Sequence, residues 1–179
     1  MQARPAIRRH LILCAAVFLG ACARPLRVMT FSRGEPDTTS KLKRVVIASP
    51  QIKKENSPSP FKSTWVALSE QLQAQGIPSI VVEQDPLELE RGQAIRNRAS
   101  AFGATHLLSL SVASSSITVR GNTTQEGATM WEASVLELDR KKTVWRGITH
   151  VYYGHSNNTE QAERVSTSII SKLRGDGLL

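Results

Sequence analysis

The sequence predicts an α+β domain with an α/β start: a mixed sheet in the order β-α-β-α-β-β-β-α, ending in an antiparallel meander, with three helices. Three observations carry this. Short β-branched runs alternate with helical apolar stripes in the first half, three long strand-like segments divided by turn residues fill the second, and a last helical stripe closes the chain.

The domain opens at Lys43-Arg44-Val45-Val46-Ile47-Ala48-Ser49, a β-branched run typical of a buried strand. After a loop, Pro60 begins a helix with Ser59 as N-cap, and Phe61, Trp65, Leu68 and Leu72 form one apolar stripe that Gly76 stops. Ile77 to Glu83 reads as a second strand. Asp85-Pro86-Leu87-Glu88 reads as a second helix start, with Leu87, Ala94, Ile95, Ala99 and Phe102 facing inward and Gly103 closing it. Thr105 to Val119, Thr129 to Leu138 and Thr143 to Tyr153 are the meander strands, turned at Gly121-Asn122-Thr123-Thr124 and Asp139-Arg140-Lys141-Lys142. The last helix starts near Asn157 or Asn158, carries Ala162, Val165, Ile169 and Leu173 on one face, and ends at Gly175. The expected core includes Ile47, Trp65, Leu68, Val81, Leu108 and Ile169.

Ahead of the domain, Arg4, Arg8 and Arg9 precede an apolar or small run from Leu11 to Ala21, the layout of a secretory signal. The run falls short of the roughly 20 residues that a helix needs to cross a bilayer. Leu19-Gly20-Ala21-Cys22 resembles the lipobox of bacterial lipoproteins. The resemblance implies cleavage before Cys22 and acylation of its thiol, and several acyl chains make an effectively permanent anchor. Ala23 follows in place of the aspartate common in inner-membrane lipoproteins, so the expected address is the periplasmic face of the outer membrane. The expected division is therefore residues 1–21 as lipoprotein signal peptide, 22–42 as lipidated N-terminus and flexible tether, and 43–179 as one small domain. Within the tether only Leu26 to Phe31 has the look of an edge strand.

The chain has a formal net charge of +8, which falls to about +5 once Arg4, Arg8 and Arg9 leave with the signal. Neither that charge nor the compartment suits nucleic-acid binding, which needs a basic face with aromatic or motif support. With Cys14 in the signal and Cys22 acylated, no thiol pair remains for a disulfide, and hydrophobic burial must hold the domain.

Element order behind a lipobox, together with Trp131 through Leu138, Asp139 and Val144-Trp145-Arg146-Gly147, resembles the small α/β domain of the TolB amino-terminal type. Families of this layout act mainly as binding and assembly modules, which is what the resemblance implies. No site residue comes with it.

The residues suggest no catalytic, cofactor or metal site. His106, His150 and His155 share no ligand spacing, no Gly-x-Ser-x-Gly elbow occurs, and Ser114-Ser115-Ser116 lies within a strand, on a solvated face or a bulge. Glu132 and Glu137 are an odd number apart and face opposite sides of a regular strand. No phosphate loop is present around Gly121, Gly127 or Gly147. Trp131, Trp145, Tyr152 and Tyr153 cluster in the meander, where cross-strand aromatic pairs stabilise sheets and can also anchor interfaces. Basic residues at Arg24, Arg27, Arg33, Lys41, Lys43, Arg44 and Arg140-Lys141-Lys142 either solubilise tether and turn or hold the protein to anionic headgroups or cell-wall carboxylates. The expected function is that of a lipid-anchored, non-catalytic binding or assembly factor of the bacterial envelope. Its expected partners are membrane lipid through Cys22 and an envelope protein or peptidoglycan. A structural subunit of an outer-membrane complex and a small envelope enzyme are the alternatives.

Overall fold

The computed structural model describes residues 26–34, 41–49, 60–84, 92–120, 124–153 and 158–179. The signal, Leu19 to Cys22 with the lipidation site, Ser59, Asp85 to Glu88, the Gly121 turn and His155 lie outside them. The described elements are β1 (Arg27–Gly34), β2 (Val45–Ser49), α1 (Pro60–Ala74), β3 (Ser79–Glu83), α2 (Gln93–Phe102), β4 (His106–Arg120), β5 (Thr124–Glu137), β6 (Lys142–Tyr153) and α3 (Asn158–Gly175). They form an α+β fold around one mixed sheet of six described strands in the order β1-β6-β5-β4-β2-β3. β2 runs parallel to β3 and β4, and the remaining pairs are antiparallel.

Val45, Val46 and Ile47 are each fully buried. A continuous apolar run is what a strand needs when helices cover both of its faces. Val45 and Ile47 meet Trp65, Leu68 and Leu72 of α1, while Val46 packs with Ala99 of α2 on the other side. α1 ends at Gly76, whose φ of 77° suits a residue without Cβ, and the Ile77 N–H reaches back to the Leu72 carbonyl at 3.0 Å. In α3, Ala162, Val165, Ile169 and Leu173 are buried, as their spacing predicts. Of the expected core only Val81 is partly buried; Ile47, Trp65, Leu68, Leu108 and Ile169 are all interior.

The structure departs from the sequence reading in two places. The second helix begins at Gln93, because Gly92 before it has φ 79°, through which no α-helix continues, so a single helix from Asp85 to Phe102 is ruled out. And residues 27–34, assigned to the tether, form β1, paired with β6 from Arg27↔Tyr152 to Gly34↔Trp145. Leu26 is 6% exposed, so the folded domain reaches back to within four residues of Cys22. The edge strand expected at Leu26 to Phe31 is thus present and runs on through Ser32, Arg33 and Gly34, residues that read as linker.

Candidate functional site

The helices cover the sheet unevenly. α1 and α3 lie on one face along its length, whereas α2 covers the other face over β2, β3 and the start of β4 at Leu107. Among the described residues no helix covers that second face over β1, β6 and β5. The pairing places Arg27 beside Tyr152, Met29 beside His150, Phe31 beside Ile148 and Arg33 beside Arg146, and continues to Glu132 opposite Ile148 and Met130 opposite His150. Directly opposed residues point to one side, so these side chains share the open face. Phe31 is 60% exposed, Ile148 42% and Tyr152 44%. The Phe31 ring meets His150 edge-on at 5.9 Å between centroids. A shallow depression of about 350 Å³ lies among Phe31, Arg33, Glu132, Arg146 and Ile148. Three arginines and one glutamate around exposed apolar groups make a cationic, amphipathic surface.

A larger groove of about 720 Å³ runs between β1 and α3. Its ion pairs are internal: Arg164 bridges to Glu160 at 3.0 Å and donates to the Leu26 carbonyl at 3.3 Å, and Lys172 lies 3.3 Å from Asp176. The groove walls are fastened at two points. Thr30 Oγ1 shares hydrogen bonds with Thr149 Oγ1 at 2.9 Å and Ser168 Oγ at 2.6 Å. Farther along, the Asp176 carboxylate accepts from the Ser32 hydroxyl and from Trp145 Nε1, the latter at 2.8 Å. Partial burial alone would raise the Asp176 pKa; the hydrogen bonds from Ser32, Trp145 and Lys172 outweigh it and hold the carboxyl below its ordinary range. Sequence reading missed this knot, because nothing local links Ser32 to a residue near the C-terminus.

The other singled-out residues do not converge. Among the described residues no group of three or more His, Cys, Asp or Glu gathers. His106 is interior, its Nδ1 2.8 Å from Thr105 Oγ1; burial, outweighing the pull of Glu137 and Asp139, lowers its pKa. His150 lies on the open face. Glu132 is exposed there, while Glu137 is a half-buried neighbour of Arg140 at 3.6 Å. The strand bulge between Val112 and Ser114 falls at the start of the serine run, and Ser114 is exposed. Trp131 and Trp145 belong to the core under α1 and α3, whereas Tyr152 is on the open side.

The basic residues also separate. Arg27 and Arg33 belong to β1, and Arg44 donates to the Phe102 carbonyl at 2.9 Å with its guanidinium 5.3 Å from that ring, fixing the end of α2. Exposed Lys41 and Lys43 precede β2, whose first residue is level with His106 and Glu137, and so lie at the same end of the sheet as the Arg140-Lys141-Lys142 turn. That end is opposite the one where Arg27 starts β1. No helix among the described residues is long and apolar enough to cross a membrane.

No protein-family model matches the chain, and no curated protein matches it. Solved structures do. The PelC dodecamer from Paraburkholderia phytofirmans is similar over 82% of this chain and 97% of that one, at TM-score 0.59 and 15% identity. Lipoprotein GNA1162 from Neisseria meningitidis is similar over 74% of this chain and 99% of that one, at TM-score 0.50 and 10% identity. At such identities the shared property is the fold, and it is a fold found in bacterial lipoproteins.

Proposed function

We propose that this chain is a lipid-anchored, non-catalytic assembly factor of the bacterial envelope, held at the periplasmic face of the outer membrane by acylated Cys22. The open face over β1, β6 and β5 is its docking surface. One observation carries the reading: Phe31, Ile148 and Tyr152 stand in water on a face where alternation would put polar residues. Leu19-Gly20-Ala21-Cys22 supports the anchor, Ala23 supports the outer membrane, and the TolB-type layout supports a binding role over a chemical one. The partner that fits first is another copy of the chain, since a protein of this fold forms a dodecamer. Other envelope proteins and peptidoglycan are the alternative partners.

The test has two parts. Cys22→Ser should release the mature protein from membranes and remove the lipid mass from its N-terminus; acylated protein persisting in that variant would refute the anchor. Sedimentation of the domain starting at Ala23 should show species heavier than a monomer that Ile148→Asp with Phe31→Asp disperses. A wild type that is monomeric at every concentration, and whose crosslinks in cells are unchanged by the double substitution, would refute the docking surface.

A further inference from the structure

The open ends of the fold are not equivalent once the length of chain to the anchor is counted. Only five residue steps separate Cys22 from Arg27, which at ~3.3–3.6 Å each reach about 17 Å at most. The connection cannot lengthen by unpeeling β1, because Leu26 is buried and its carbonyl accepts from Arg164, and Thr30 and Ser32 are bonded to α3 and to the residue just beyond it. At that end of the sheet Arg27, Tyr152, Ala128 and Ser116 stand at one level across four strands. β4 and β5 continue past it, pairing through Arg120↔Thr124. Four residues beyond Ser116 add about 13 Å of strand, so the arms reach nearly as far toward the bilayer as the anchor itself.

We infer that the Arg27 end of the sheet, including the arms of β4 and β5 beyond Ser116 and the first turn of α3, is a lipid-contacting surface on which the domain stands on end. The inference rests on acylation of Cys22. Strands then run up from the headgroup layer. The Lys41, Lys43 and Arg140-Lys141-Lys142 end stands ten residues of β6 above Tyr152, about 33 Å. Attraction between that basic end and headgroups is screened over a Debye length of about 8–10 Å, so those lysines face away from the lipid and toward the cell wall. This reverses the reading in which the basic residues at the start of the domain hold it to headgroups.

The test uses acylated full-length mature protein in vesicles of phosphatidylethanolamine and phosphatidylglycerol. Cys22 is acylated and Cys14 is gone with the signal, so an introduced cysteine is the sole thiol for a fluorophore. Thr118→Cys and Thr159→Cys mark the Arg27 end, Arg140→Cys the opposite end and Arg33→Cys the far part of the edge strand. Lipids with a nitroxide on the headgroup should quench the first two several-fold more than the last two, and two independent near-end positions guard against a variant that misfolds. Equal quenching at all four, stronger quenching at Arg140, or equal quenching at Thr159 and Arg33 from a domain lying on its edge would overturn the orientation. Inserting about 20 Gly/Ser residues after Ala23, a reach of roughly 25 Å, should level the four positions; a bias that survives insertion would refute the short connection as its cause. Intact mass separates the two ideas: a flat pattern from acylated protein refutes the orientation alone, and mature protein without lipid refutes the anchor and the orientation with it. Lys41→Ser with Lys43→Ser should leave the quenching pattern unchanged.

Discussion

In β2, Val45, Val46 and Ile47 are all sealed from water, whereas in β6 burial switches residue by residue from Trp145 to Tyr152. The two strands belong to one sheet, and the difference comes from α2, which covers the second face over β2, β3 and the start of β4 and does not reach β6. The sealed half shows how coverage writes itself into sequence: a run of apolar residues for two covered faces, alternation for one. The half-open side shows the reverse. Its alternation places Arg146, Ile148, His150 and Tyr152 outward, and two of the four are large and apolar, a departure that packing does not require.

The widest gap between the halves should come from one acid placed in each. Val46→Asp would bury a carboxylate with no partner, at a cost of several kcal/mol, enough to unfold a domain with ~5–15 kcal/mol of stability. Ile148→Asp should change stability by less than about 1 kcal/mol and, on the docking surface proposed above, abolish self-association. Urea midpoints measure both, and equal losses would erase the distinction.

A smaller effect belongs to Gly147, the buried residue of β6 between two exposed ones. A Cβ there would overlap the Trp145 ring and come within 2.8 Å of its Cζ2. Gly147→Ala should therefore cost ~1–3 kcal/mol and weaken the bond from Trp145 Nε1 to Asp176, visible as a lower melting temperature and altered tryptophan emission.

Acid should act on the two halves in turn. His106, at the start of β4 beside β2, has a folded pKa below its unfolded value, about 6.5. It contributes stability above that value and loses it as pH falls toward the folded pKa. Asp176, on the open half, also has a lowered pKa; its contribution is present above about 4 and fades as pH drops through the folded value. Urea midpoints against pH should fall in two stages, with His106→Gln flattening the upper one and Asp176→Asn the lower. The smallest effect is expected at Lys62, paired with Glu83 at 3.0 Å with both side chains more than half exposed. Lys62→Ala should cost no more than ~0.5 kcal/mol.

Element order, the meander, the faces of α1 and α3 and the α+β class were legible because periodicity is local. The start of α2 was not, since nothing in the local sequence announces the left-handed backbone at Gly92 from which the helix sets out at Gln93; Asp85 to Glu88 lie outside the described residues. β1 was legible as a short edge strand at Leu26 to Phe31, but its partner and its full length were not, because they are fixed by residues far along the chain: Thr30 by Thr149 and Ser168, Ser32 by Asp176. The open face was hidden for the same reason. Phe31 and Ile148 stand 117 positions apart in the sequence and become neighbours only through the β1–β6 register.

The knot at Asp176 also sets an order of events. Ser32 and its acceptor are 144 residues apart, and among the described strands β1 has no neighbour but β6. Contacts of such separation form late, after the loops between them have closed. The first strand of the domain to leave the ribosome is thus the last able to join the sheet. On the lipoprotein reading proposed above, Cys22 would keep the long tether that the sequence suggests until β6 and the end of α3 are in place, within reach of the enzymes that cut and acylate a lipobox. Completion of the fold would then shorten that tether to a few residues.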